Sequence, residues 1–349
     1  MSAFPPGAQL QRIYLYEELT AFGPFLDPAL FPLIPEGLAL SQALTHDLSL
    51  LDWVTPTVLV QADFASRFQN NNQVQIRRTS ERELANPFQF LESPGDKVLV
   101  IAPENGGVLE TRVAQATQAG LVAVNCGTPS LRIASDKWQT FLHWEKNRVP
   151  TPATWLLNSV DASALKYPLI MKPRDGAGCC DTFFLTNAAE FSRCKILCGE
   201  KGFMAQNYCP GMAASAAFIA KRGQIIPLIA GQQNISIQSQ IEYQGGKIPL
   251  PEELHQRAMA IGGKALEGLE ELHGWIGVDL VLGNSPDGKE DMAIEINPRF
   301  TTSYLGIREL ISGKQLMELL LGNSPLPFPD KKEKLVSFQK NGVIIPATP

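Results

Sequence analysis

Residues 294–303 read IEINPRFTTS. A carboxylate at Glu295 and an amide at Asn297 lie two apart, within and behind the apolar run Met292, Ala293, Ile294 and Ile296. Side chains two apart in a strand share a face, so these groups project together. A carboxylate and an amide oxygen are hard ligands of the kind magnesium takes. A strand end where polar groups meet water is the other reading of such a pair. Asp279 adds a third oxygen donor, set inside IGVDLVL. An acid flanked by Val278 and Leu280 needs a cation, because burying it unpaired is costly. If its strand pairs with the one carrying Glu295, then Asp279, Glu295 and Asn297 converge on one ion, with phosphate oxygens completing the shell.

Positive charge to meet such phosphates is available at two lysines. Lys172 closes the apolar run PLIM and opens the loop PRDGAGCCDTFF. A lysine at the end of a buried strand calls for a compensating anion. Gly176 and Gly178 have no Cβ, so their loop can bring backbone N–H groups close to a polyphosphate. Lys137 lies early in a helix, where the dipole also favours an anion. Two plainer readings stay open, a hairpin turn with a snorkelling lysine and a solvated surface lysine.

These residues need a frame. RIYLY (12–16), PTVLV (56–60), VQIRR (74–78), KVLVIAP (97–103) and LVAVN (121–125) read as strands. Between the last two, Leu109, Val113 and Ala116 follow helical spacing and Gly120 stops the helix. Strands alternating with helices predict an α/β layer with a parallel sheet. Neither a GxGxxG after the first strand nor a phosphate-binding GxxxxGK[ST] loop occurs. Ser135 and Asp136 start a helix with Trp138, Phe141 and Leu142 as candidate buried positions, and Pro150 and Pro152 end it. A strand (168–172), a helix near 187–199 and a strand (202–208) follow. From Pro251 a helix with the apolar face Leu254, Ala258, Ile261, Ala265, Leu269 and Leu272 is expected to stop at Gly274. His143 and His255 read as ordinary helix residues, since no motif joins them to the rest.

The chain has 349 residues, 44% hydrophobic and 19% charged, with net charge −5. That length suits two or three subdomains of a globular enzyme. No basic face points to nucleic acid. No apolar run approaches the roughly 18 residues that cross a bilayer, and the N-terminus lacks an apolar signal core. A cytoplasmic protein with no membrane partner is expected. The six cysteines, among them the neighbours Cys179 and Cys180, lack both a disulfide framework and zinc spacing.

In this order, IYLYEELTAFG, IAPENGGVLE (101–110), ASDKWQT (134–140), KPRDGAG (172–178) and GVDLVL…IEINPRFTTSYLG (277–306) resemble the ATP-grasp superfamily of carboxylate–amine ligases. The similarity runs over roughly 12–320. It lies within the carbamoyl-phosphate-synthase-like group that includes tyramine–glutamate ligase-like proteins. The resemblance implies an α/β and α+β architecture: a Rossmann-like N-terminal domain (1–128), a linker helix and lid (129–208), a C-terminal ATP-grasp domain (209–322) and a peripheral tail (323–349). It implies ATP and Mg2+ as cofactors, with Mn2+ as a substitute, and small-molecule carboxylate and amine substrates. An oligomer is allowed.

The resemblance also implies roles. Lys137 and Lys172 match lysines on the α- and β-phosphates. Gly176 and Gly178 match the loop that closes over them. Gln206, Asn207 and Tyr208 match the hinge beside the adenine, acting mostly through backbone groups. Asp279, Glu295 and Asn297 match the metal set. Arg299 matches the arginine near the transferred phosphoryl group. Three departures stand out: Gln206 where the hinge usually carries glutamate, no ribose-binding glutamate in MAAS (212–215), and Cys179–Cys180 in the phosphate loop. The implied reaction is amide formation through an acyl phosphate, with release of ADP and phosphate. A ligase or carboxylase for another acid, or a nucleotide-binding protein without turnover, are the alternatives.

Overall fold

The computed structural model describes residues 10–68, 73–91, 94–199, 202–322 and 334–345. Three sheets form among them. The first contains β1 (Gln11–Glu17), β2 (Val54–Gln61), β3 (Gln75–Thr79), β4 (Lys97–Ile101) and β5 (Val122–Ala123). They are parallel and lie in the order β3-β2-β1-β4-β5. Helices lie on both sides of a parallel sheet, which is why RIYLY is apolar on both faces: Ile13, Tyr14, Leu15 and Tyr16 are all buried. The helices of this lobe are α1 (Glu18–Phe22), α2 (Ile34–Ser49) and α3 (Val108–Gln118). Two more, α4 (Thr128–Ala134) and α5 (Lys137–Asn147), lead out of it. Asp136 caps α5 by accepting from the backbone N–H groups of Trp138 and Gln139.

A small antiparallel sheet follows, ordered β6-β9-β7-β8. Its strands are β6 (Thr154–Leu156), β7 (Leu169–Pro173), β8 (Phe183–Leu185) and β9 (Phe203–Asn207), with α6 (Ala188–Cys198) packed on it. This lid has its own core, built on Leu169, Met171, Leu185 and Phe191.

The third sheet is antiparallel, in the order β14-β13-β10-β11-β12-β15-β16. It comprises β10 (Met212–Lys221), β11 (Gln224–Ile237), β12 (Ile241–Ile248), β13 (Gly274–Leu282), β14 (Met292–Asn297), β15 (Val336–Gln339) and β16 (Ile344–Ile345). With it go α7 (Glu252–Ala265), α8 (Ser303–Leu310) and α9 (Gly313–Leu321). The first and third sheets share continuous hydrophobic clusters, one joining Ile13 and Leu44 to Trp275 and Tyr304. The lid is therefore the part least tied to the rest by apolar packing.

The structure departs from the sequence expectations in four places. The tail is not wholly peripheral: β15 pairs with β12, and Val336 and Phe338 are buried. The rest of that segment, 323–333 and 346–349, lies outside the described residues. The helix from 251 stops at Ala265, because Gly268 takes φ +74°, which a right-handed helix cannot continue. Leu269 and Leu272 still pack on the core from the turns that follow. Gly274 opens β13 instead of ending a helix. Its φ is +88°, and a Cβ there would stand 2.5 Å from the Val124 carbonyl oxygen. In α5 the buried face is Lys137, Thr140 and Trp144, while Leu142 is exposed. The Trp144 indole N–H, donating 2.9 Å to the Ala265 carbonyl, sets that rotation. Finally, β5 pairs over two residues alone.

Candidate active site

Lid, linker helix and C-terminal sheet enclose a cavity of about 300 Å3. Its wall includes Lys137, Lys172, Gly176, Gly178, Gln206, Asn207, Tyr208, Asp279, Glu295, Asn297 and Arg299. Every site residue read from the sequence thus reaches one space, though they come from segments spread over more than 160 positions.

The acidic floor comes from strand pairing. β13 and β14 run antiparallel with Asp279 directly opposite Glu295 and Gly277 opposite Asn297. The register shifts just past Asp279, so Ile294 bulges out of the ladder. Asn297 reaches diagonally and donates to Asp279 Oδ2 at 3.1 Å. Gln233 of β11 donates to Asp279 Oδ1 at 2.9 Å. Burial, and then the charge of Glu295, push Asp279 up to about 6, against hydrogen bonds from Asn297, Ser215 and Gln233. Two half-buried carboxylates facing each other repel, and a cation beside them relieves this. Among the described residues no group of three or more His, Cys, Asp or Glu is placed to hold a metal ion. The set here is two carboxylates and one amide, an all-oxygen donor chemistry that fits magnesium.

The two lysines differ. Lys137 Nζ lies 3.0 Å from Glu295 Oε1 and donates to the Gly176 carbonyl at 2.9 Å. Burial works against its ammonium, but the charge and hydrogen bond of Glu295 outweigh that and raise its pKa. Lys172 is 6% exposed and makes no ion pair among the described residues. Burial lowers it to about 8 despite the pull of Glu295. A buried ammonium of this kind calls for an anion from outside the chain.

The glycine loop is bent into unusual backbone. Gly176 has φ +148°, Gly178 +68°, and Cys179 +59°. Cys179 lines the cavity as a neutral thiol, pushed up to about 12 by burial and then by Glu295 and Asp279. The loop is docked down. Asp175 Oδ2 accepts from the Gly106 N–H at 2.8 Å, and Arg174 pairs with Asp136. Across the mouth, the Ile241 N–H donates to the Thr182 carbonyl at 2.8 Å.

At the hinge, the Gln206 side chain turns away to donate to Thr154 Oγ1 at 3.0 Å. The N–H groups of Asn207 and Tyr208 are taken by the carbonyls of Ala153 and Pro168. What remains is Asn207 Oδ1, buried and without a hydrogen-bond partner. An orphaned acceptor beside the cavity suits a donor on a ligand, such as the amino group of adenine. MAAS forms the start of β10, and it presents Ala213 and Ser215 to the cavity.

Arg299 is held from the opposite lobe. Its Nε and a terminal guanidinium nitrogen donate to the two oxygens of Glu104 at 2.8 and 2.9 Å. Burial opposes its charge, yet Glu104, then Glu36 and Glu295, keep its pKa raised. Sequence reading missed Glu104, Gln233 and Ser215 as partners. Glu104 carries a signal akin to that of Glu295, an acid set against an apolar run. Gln233 and Ser215 carry none, because they act through neighbouring strands. His143 and His255 make backbone contacts, to Glu267 and Ala230.

Two family models match the chain. Residues 54–131 fit the pre-ATP-grasp 3 domain and residues 134–303 the ATP-grasp domain. Tyramine–L-glutamate ligase of Methanocaldococcus jannaschii is 27% identical over 330 residues, covering 93% of this chain and 94% of that protein. Its counterpart from Methanocaldococcus fervens is 25% identical over 295 residues, covering 84% and 88%. Among solved structures, the ADP complex of N5-carboxyaminoimidazole ribonucleotide synthetase aligns with a TM-score of 0.69 at 16% identity. That alignment covers 94% of this chain and 81% of the other, and it speaks for the fold alone.

Proposed function

The chain belongs to the ATP-grasp superfamily, and from that premise we propose an ATP- and magnesium-dependent carboxylate–amine ligase working through an acyl phosphate. The observation that carries this reading is Lys172, a buried ammonium with no ion pair of its own, across one cavity from the opposed carboxylates Asp279 and Glu295. A cavity that holds an ammonium with no ion pair, and two opposed carboxylates of which only Glu295 has a cation beside it, suits a metal–polyphosphate that satisfies both.

The roles follow. Lys137 and Lys172 hold the α- and β-phosphates under the Gly176–Gly178 loop. The hinge 206–208 lies along the adenine, with Asn207 Oδ1 as acceptor. Asp279, Glu295 and Asn297 hold the magnesium ion, which when bound neutralises the carboxylates and shields the phosphate oxygens. A substrate carboxylate oxygen attacks the γ-phosphorus, the bond to the β–γ bridging oxygen breaks, and ADP leaves. The amine nitrogen then attacks the acyl carbon, phosphate departs, and the nitrogen loses a proton. Arg299, kept rigid by Glu104, stabilises charge on the transferred group without reorganising. The docked lid keeps water from the acyl phosphate.

The similar tyramine–L-glutamate ligases make glutamate the first acid to test and tyramine the first amine. No helix among the described residues is long and apolar enough to cross a membrane. We place the reaction on small molecules in the cytoplasm. The test is product analysis with an acid and amine panel, hydroxylamine serving as a general trap. ADP and phosphate should form in equal amounts, with a hydroxamate. AMP and pyrophosphate would overturn the mechanism. Tight Mg–ATP binding without ATP consumption would favour a nucleotide-binding protein without turnover.

A further inference from the structure

The cavity runs past Arg299 toward the N-terminal lobe, where Glu17 and Glu36 form part of its wall. The acids on that side have different fates. Glu17 caps α1, its oxygens accepting from the Leu19 and Thr20 N–H groups. Glu104 is spent on Arg299. Glu36 accepts only the Thr302 hydroxyl and makes no ion pair among the described residues. Burial raises its pKa, with Arg299 opposing, Glu104 adding and the exposed Lys340 opposing more weakly. Tyr243 also stands beside Thr302 and feels the charge of Glu36, as does the Cys180 thiol.

Position matters as much as charge. Arg299 feels the charge of Glu36 as well as that of Glu295, and Leu33, three residues before Glu36, stands 3.0 Å from where a Cβ at Gly178 would lie, so this wall adjoins the glycine loop. A cation at Glu36 would share one cavity with the proposed phosphoryl centre. Leu33, Ile101, Tyr243 and Phe338 give the cavity apolar surface as well, next to the hydroxyls of Thr301 and Ser303.

Resting on the ligase reading above, we propose that Glu36, steadied by Thr302 and flanked by Tyr243, recruits the amine substrate as its ammonium ion and takes the first of the two protons that the nitrogen must lose. The substrate class is a primary amine on an apolar body. One N–H bond of the ammonium breaks and its proton passes to a Glu36 oxygen. The freed lone pair attacks the acyl carbon, the C–O bond to phosphate breaks, and the second proton passes from the nitrogen to the departing phosphate. A raised carboxyl suits the acceptor role, because it holds the proton more readily than an exposed glutamate.

The experiment compares two nucleophiles in wild type and Glu36→Gln. One is a panel of primary alkyl- and arylalkylamines, which are cations at neutral pH. The other is hydroxylamine, which is mostly uncharged there. Expected is a fall in kcat/KM for the amine at least tenfold greater than that for hydroxylamine, chiefly through KM, with KM for ATP little moved. Thr302→Val should shift the ratio the same way by less, and it decides the matter should Glu36→Gln fail to fold. Equal losses for both nucleophiles, or no loss for either, while wild type makes hydroxamate, would overturn this inference alone. Absence of hydroxamate from wild type would overturn the ligase reading and this inference with it.

Discussion

Glu104 and Arg299 are 195 residues apart and meet through two parallel hydrogen bonds of 2.8 and 2.9 Å. Glu104 stands just past β4 in the N-terminal lobe, and Arg299 just past β14 in the C-terminal sheet. The pair joins the two lobes at the floor of the cavity. Removing one member leaves the other charged and buried, which costs about 3–5 kcal/mol. Glu104→Ala should therefore lower stability by that order and cut turnover as Arg299 is released. In a double-mutant cycle with Arg299→Ala the losses should be far from additive. Additive losses in chemical denaturation would rule out the coupling.

Lys172 yields a pH prediction. Its folded pKa, about 8, lies below the ordinary 10.5. Between those values the unfolded chain binds more protons, so stability without ligand should rise with pH across that window. Polyphosphate bound at Lys172, as proposed, would restore the charged form. ATP binding near pH 9 should then take up a proton, and affinity should fall as pH rises past 8. Calorimetry in buffers of different ionisation enthalpy reads the proton directly. Lys172→Ala should abolish the uptake and weaken ATP binding roughly tenfold or more, the range of a charge-assisted hydrogen bond.

The carboxylate pair predicts a link between metal and pH. Asp279, raised to about 6, destabilises the folded state as pH climbs from its ordinary 3.8 through that value. Magnesium relieves this only where both acids are ionised. The rise in Tm on adding Mg2+ should be larger at pH 8 than at pH 5. Glu295→Gln should remove most of that rise and most magnesium-dependent turnover, while changing the metal-free Tm far less. Full activity of this variant at low magnesium would exclude Glu295 as a ligand.

Asp175 docks the glycine loop on the Gly106 N–H. Asp175→Ala should loosen the lid without touching the phosphate ligands. Water then reaches the acyl phosphate, and amide formed per ADP released should drop below one. A ratio that stays at one would show that the contact does not govern closure.

That the candidate site residues belong together was legible in the sequence because each is marked by a local pattern. Period-two spacing put Glu295 and Asn297 on one face, and an acid inside IGVDLVL had to meet a polar partner. The loop glycines and Lys172 announced an anion for the same reason: a buried charge or a bare backbone is costly unless something compensates it. The order of those motifs carried the family and its fold. The long reach of Glu104 to Arg299, of Gln233 to Asp279 and of Glu36 to Thr302 was not legible, since each spans different elements and leaves no periodic trace. The same holds for β15, whose few residues acquire strand character from the edge of β12 that they complete. Helix limits failed where a single glycine conformation outweighed an apolar stripe, as at Gly268. Sequence by itself determined which side chains carry charge into the interior. Tertiary structure decided which of them are neutralised within the chain and which, like Lys172 and Glu36, have no ion pair among the described residues, because ion pairing depends on distances of a few ångströms between segments that only folding brings together.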